Sequence, residues 1–329
     1  MHSTPAVAGE LLFVASCNSM VRALDRASGR VVWEYDAGLG AESSFHGDPF
    51  LAGDLLLMGT DGPSGDGVYA FEKATGTLRW KARVPTMEFD ISGVASDIQV
   101  QGQHVYALSL ADEALSLRLS DGELTWSFRS AYRPHERILN GTPAIVAKTL
   151  LFGGLDGTAY ALSGENGELR WKQRLGESIL TSACAVEEGV VLGTTDGKLH
   201  LLDTERGSIV RQLNLGKTPS GPMIVADGRL LVCTDWLTPG SELMCVNDRL
   251  SEIVWKVTPP DGIWSAPRPY VYDGLLFLGT TEGAVIEYRL ADGKPLRQTK
   301  IGGVIRGIRL VDGVLYVGTQ DGVIYAVQR

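Results

Sequence analysis

An eleven-residue motif that returns seven times constrains this chain more than any other feature. It reads ALDRASGRVVW at 23–33, AFEKATGTLRW at 70–80, SLRLSDGELTW at 116–126 and ALSGENGELRW at 161–171. It continues as LLDTERGSIVR at 201–211, CVNDRLSEIVW at 245–255 and EYRLADGKPLR at 287–297. An eighth copy begins at Tyr325 and runs to Arg329. The last residues of successive full copies stand 40 to 47 residues apart, a period that belongs to propeller blades or to helical arrays.

Local composition decides between the two. A short apolar run precedes each motif: Leu11–Val14, Leu55–Met58, Val105–Leu108, Leu150–Phe152, Val190–Leu192, Leu230–Val232, Leu275–Leu278 and Val314–Val317. Runs this short, rich in Leu, Val and Phe and bounded by Gly and Asp, read as strands; helices need longer amphipathic windows. Leu155-Asp156-Gly157, Thr195-Asp196-Gly197 and Gln320-Asp321-Gly322 supply the positive-φ residues of tight hairpins. Each unit therefore reads as four antiparallel strands, A to D, with B the apolar run and C and D divided over the motif. Radial repetition of such sheets gives an all-β, eight-bladed propeller, expected as one domain over 1–329. The blades fall near 3–36, 46–84, 94–130, 140–175, 181–215, 220–258, 265–300 and 305–329. The eighth lacks a fourth strand in this sequence, and removal of an N-terminal strand is the favoured explanation.

The pattern A-x-D-x-x-[TS]-G-x-x-x-W resembles the tryptophan-docking repeat of the pyrroloquinoline-quinone-like propellers, a family that includes quinoprotein alcohol dehydrogenases and the BamB lipoprotein of outer-membrane assembly. The resemblance covers essentially the whole chain, with the tryptophan kept at 33, 80, 126, 171 and 255. It implies an indole on the outer strand packing between adjacent blades. Arg211 and Arg297 stand in its place in blades five and seven, where docking through the aliphatic stem of Arg is expected. The dehydrogenases of the family hold the quinone with a vicinal cysteine pair. Here Cys17, Cys184, Cys233 and Cys245 are all isolated, so no cofactor is expected and quinone-dependent oxidation is set aside.

Charge narrows the partners. Thirty basic against 39 acidic residues leave a net charge of −9, which argues against nucleic acid. No run approaches the ~18 apolar residues of a membrane span, and four cysteines are too few for a disulfide scaffold. Cys233 and Cys245 flank the loop between strands B and C of blade six, where a bond requires both to face the same way; two packed thiols are the expectation.

Alternating strand direction puts the D–A and B–C connections on one face. That face carries the long, unusual loops and is the expected working surface. Its candidate binding residues are Phe45, Asp48, Glu88, Phe89, Asp90, Tyr132, Arg137, Trp264 and Arg306. Phe45, Phe89, Tyr132 and Trp264 are expected to form an aromatic rim over a polar funnel. At the start of strand A the pattern is a small residue followed by Pro, as in Thr4-Pro5 and Thr142-Pro143. Asp48 precedes Pro49, Asp97 is read in the Pro position and Arg306 in the small-residue position. A metal site is not expected, since His46 and Asp48 lack a nearby third ligand. Asp61–Gly67 reads as a hairpin turn rather than a calcium loop.

Two functions follow from these residues. The first is a binding or scaffolding propeller, monomeric, that holds a protein, peptide or small molecule on the loop face. The second is a cofactor-independent lyase, isomerase or cyclase, with His46 and His135 exchanging protons, Asp97 and Asp48 as carboxylate partners and Arg306 as an anchor. Localisation is the bacterial periplasm or envelope if an N-terminal segment has been removed, and otherwise the cytoplasm.

Overall fold

The computed structural model describes residues 3–16, 19–38, 44–62, 67–84, 92–131, 141–235, 240–260 and 268–329. All regular secondary structure among them is β. Among the described residues, seven four-stranded antiparallel sheets in simple A-B-C-D order and one three-stranded sheet in A-B-C order follow one another along the chain. Blade one uses Ala6–Ala8, Leu11–Ala15, Met20–Asp25 and Val31–Asp36. Blade four uses Ala144–Val146, Thr149–Gly153, Thr158–Ser163 and Leu169–Arg174. Blade eight has Ile305–Val311, Val314–Thr319 and Ile324–Gln328.

Two compact units result: Met1–Thr142 with Gly164–Gly167, and Pro143–Ser163 with Glu168–Arg329. Within each unit the apolar runs explain the packing. In blade two, Leu56 and Met58 join the core shared with Phe13 and Trp33 of blade one, whereas Leu57 joins the core shared with Val105 and Leu115 of blade three. A strand B buried on both faces has no polar side, so it reads as a continuous apolar run instead of an alternation.

The motif has a backbone signature as well. Between its first two residues the pairing of strands C and D shifts register in all seven full copies, as at Ala23/Leu24, Ala70/Phe71 and Leu201/Leu202. Such a bulge re-aims the next side chain, here the tryptophan opposite motif residue one.

Each indole N–H then donates to a carbonyl in the motif of the following repeat: Trp33 to Lys73, Trp80 to Leu119, Trp126 to Gly164, Trp171 to Thr204 and Trp255 to Leu290, at 2.8–3.0 Å. The ring stacks on that motif's glycine. A Cβ on Gly76, Gly122, Gly167, Gly207 or Gly293 would lie 2.4–2.7 Å from the indole, and all five glycines have φ between +68° and +74°.

Blade five departs in a correlated way. Arg211 donates through its guanidinium to the Arg249 carbonyl, and the next motif carries Ser251 in place of glycine, after Leu250 at φ +54°. The guanidinium thus replaces the indole N–H as donor, a role beyond the aliphatic contact expected from sequence. In blade seven, Glu287 occupies the small first position of the motif. It pairs with Arg329 at 3.2 Å, and that guanidinium also covers the Phe277 ring.

Candidate functional site

The connections between strands supply the candidate face. In blade two the B–C connection contains a short strand, Asp61–Gly62, which pairs with Ser92–Gly93 from the following D–A connection. Ser44, from the preceding D–A connection, bridges to Asp61 with backbone hydrogen bonds of 2.9 and 3.0 Å. The two classes of loop therefore share one face in the first unit, as strand alternation requires. Blade six repeats the association in the second unit, where Asp235 N–H donates to the Thr218 carbonyl at 2.8 Å.

Inside the blade-two ribbon lies the one imidazole–carboxylate hydrogen bond among the described residues. His46 Nδ1 is 2.6 Å from Asp61 Oδ1; the Asp61 side chain is fully buried and that of His46 is 18% exposed. A carboxylate only accepts, so Nδ1–H is the donor. Asp61 is thus a partner of His46, and one that the sequence reading does not name. Asp61 escaped sequence reasoning because a carboxylate at the start of a glycine-rich connection looks like turn chemistry. Its pairing depends on Ser44, seventeen residues earlier, and nothing local announces it.

Asp48 and Asp97 are engaged in joining blades. Asp48 Oδ1 accepts from Thr4 N–H at 2.6 Å, and Asp97 Oδ1 accepts from Asp48 N–H at 3.0 Å. Asp97 Oδ2 accepts from the Thr142 hydroxyl at 3.2 Å. This ladder corrects the sequence register. Gln99 pairs with Tyr106 as Phe50 pairs with Leu57, so Asp97 matches Asp48 and Thr142, and Ile98 takes the proline position.

Phe45 is also corrected. It has no exposed surface and packs edge-on against Tyr69, with ring centroids 5.7 Å apart; it belongs to the core and not to an aromatic rim. Glu88, Phe89, Asp90, Tyr132, His135, Arg137 and Trp264 lie outside the described residues.

In the second unit the register is corrected again: Arg309 pairs with Tyr316 as Phe50 pairs with Leu57, so Gly307 takes the small-residue position and Arg306 stands one residue before it. Arg306 is only 2% exposed and donates to Gln320 Oε1 at 3.0 Å. Blade six holds a charged cluster at its loop end. Lys217 Nζ lies 3.0 Å from Asp235 and donates to the Gly240 carbonyl at 2.8 Å, while Lys256 reaches Glu242 at 3.4 Å. The Asp235 hydrogen bond holds the Lys217 ammonium above its ordinary range.

Chemistry elsewhere among the described residues is quiet. Cys184, Cys233 and Cys245 are free thiols. Cys233 pairs with Leu243 and Cys245 with Leu231, so the two cysteines of blade six are diagonal rather than opposite. Burial pushes Cys184 and Cys233 up to about 12 and raises Cys245; a thiol held protonated is a poor nucleophile. No cluster of three metal-ligating side chains occurs among the described residues.

Comparison with known proteins places this geometry. A family profile described as outer membrane protein assembly factor BamB matches residues 1–212, 129–236, 155–303 and 239–329. The BamB of Yersinia pestis is 24% identical over 358 residues, covering 100% of this chain and 84% of that protein. The crystal structure of BamB from Moraxella catarrhalis superposes with a TM-score of 0.79 at 17% identity, covering 99% of this chain and 96% of the other. The computationally designed Ika8 protein gives a TM-score of 0.77 at 14% identity, over 100% of this chain and 96% of that one. These likenesses show an eight-bladed β-propeller, and the profile, spanning the full length, shows that this chain belongs to the PQQ-like propeller family of outer membrane protein assembly factor BamB.

Proposed function

We propose that this protein is a protein-binding scaffold for the assembly of outer-membrane proteins, acting as a monomer in the bacterial envelope and holding its partner on the face of the D–A and B–C connections. One observation carries the reading: relatives named as outer membrane protein assembly factor BamB align over the whole chain, with 84% of their own length covered. Geometry supports a surface function. Asp48 and Asp97 tie blades together, so the candidate carboxylates are spent on structure, while the loop face is built up by the paired Asp61–Gly62 and Ser92–Gly93 ribbon. A rigid scaffold presenting variable loops is the usual arrangement for recognition.

The test is deletion of the gene in its host, with outer-membrane β-barrel proteins quantified in isolated membranes. Their amounts fall and recover on re-expression if the proposal holds. Unchanged amounts refute it.

A further inference from the structure

The joint between blades five and six is built on different chemistry from the tryptophan joints on either side of it. Where a tryptophan stands on strand D, the motif residue paired with it is small: Ala23, Ala70, Ser116, Ala161 or Cys245. Arg211 is paired with Leu201 instead. The following motif then supplies a second leucine. Leu250, 1% exposed, joins Leu199, Leu201 and Val232 in the core shared by blades five and six. Two leucines thus supply apolar burial at a joint that has no ring.

Leu250 occupies that core from a left-handed backbone, at φ +54°. Leucine rarely adopts this conformation, so surrounding contacts must hold the turn in it. Those contacts are polar and lie at the surface. Arg211 donates to the carbonyl of Arg249, the residue before Leu250. Glu188, in the A–B turn of blade five, lies 3.8 Å from the Arg211 guanidinium and 3.5 Å from that of Arg249. One carboxylate therefore joins strand D of blade five to the motif turn of blade six. Within the turn, Leu250 N–H donates to the Asn247 carbonyl at 2.9 Å and Ser251 N–H to Asn247 Oδ1 at 2.8 Å.

The side chains of Glu188, Arg211 and Arg249 are 38–67% exposed, and exposed ion pairs are screened by salt. The screening length falls from about 10 Å at 0.1 M to about 3 Å at 1 M. Apolar burial is not weakened in this way. A salt-sensitive clasp is therefore set against a strained backbone, at a joint whose neighbours are closed by indoles.

We propose that the turn over residues 248–251 is a salt-responsive latch. Glu188, Arg211 and Arg249 hold it closed with Leu250 inserted, and screening of this triad shifts it toward an open state in which Leu250 leaves the left-handed conformation. The latch stands independently of the assembly role.

Amide hydrogen exchange of the intact protein, compared at about 0.1 M and about 1 M sodium chloride, tests this. Exchange at the Leu250 and Ser251 amides is expected to accelerate roughly three- to tenfold at the higher salt. The Gly207 and Gly293 amides, bonded at 2.9 Å to the Asp203 and Arg289 carbonyls at the flanking tryptophan joints, keep their rates. E188Q removes both ion pairs, so its exchange at low salt matches that of the unmodified protein at high salt and no longer responds. E187Q makes the same charge change one residue earlier and keeps the response. Equal salt effects at Leu250 and Gly207, a full salt response in E188Q, or loss of the response in E187Q as well, overturns the proposal.

Discussion

Replacing Gly122 by Ala separates backbone strain from packing at a blade junction. Gly122 has φ +74°, and its added Cβ would lie 2.4 Å from Cε3 and 2.8 Å from Cδ2 of Trp80. The left-handed backbone alone costs about 1–2 kcal/mol for Ala. Pushing the indole aside adds about 1–3 kcal/mol of overpacking. The 2.9 Å hydrogen bond from Trp80 to the Leu119 carbonyl contributes another ~1 kcal/mol when lost. The total is roughly 3–6 kcal/mol by these terms. Gly102, in the same blade, has φ +61° and nothing within 4 Å of its virtual Cβ, so G102A carries the strain alone, about 1–2 kcal/mol.

Urea unfolding followed by far-ultraviolet circular dichroism reads both variants. In a W80A background the cost of G122A should shrink to that of G102A, giving a coupling of about 2–4 kcal/mol, within the range seen for residues in contact or sharing a network. If G122A costs no more than G102A, or the same with and without Trp80, the stacking account is wrong.

Three further outcomes are expected. R211W alone should destabilise, because Ser251 places a Cβ where the indole needs glycine, and S251G should recover about 1–3 kcal/mol in that background by thermal or urea unfolding. His200 is buried between Thr194 Oγ1 and Gln212, each at 3.0 Å, and desolvation lowers its pKa. With the folded value below the unfolded ~6.5, its contribution is intact above pH ~6.5 and declines as pH falls toward the folded value; H200M, copying Met244 of blade six, should flatten the urea midpoint between pH 7.5 and 5. D97A strips the acceptor from Asp48 N–H and from the Thr142 hydroxyl and should cost about 1.5–3 kcal/mol, whereas exposed Glu34 should tolerate Ala within about 0.5 kcal/mol in the same unfolding assay.

The fold was legible because a repeated motif reports its own packing. Leu11–Val14 and its counterparts are apolar throughout since both faces of strand B are buried, and the tryptophan marks a fixed register with the next motif's glycine. The candidate site was less so. Phe45 looks like a rim aromatic until its depth is known, and Asp61 looks like a turn residue until Ser44 is seen beside it. Sequence places Asp97 one position out because Ile98, where the pattern predicts proline, leaves the aspartate free to slide along the alignment. Loop pairings such as Asp61–Gly62 with Ser92–Gly93 depend on long-range closure, which carries no periodicity to read.

The tryptophan-to-glycine stacking also fixes what this architecture can exchange. An indole and the glycine it stacks on lie in consecutive repeats, so a cut in the loops between blades separates them. A transplanted segment keeps its own joint only if it runs from the strand D of one blade through the strand C and motif turn of the next, as from Leu78 to Gly122. Arg211 and Ser251 illustrate the rule: both members of one joint differ, while Trp171 and Gly207 before it and Trp255 and Gly293 after it are intact. The heritable module is the joint, offset by one strand from the blade that the eye picks out.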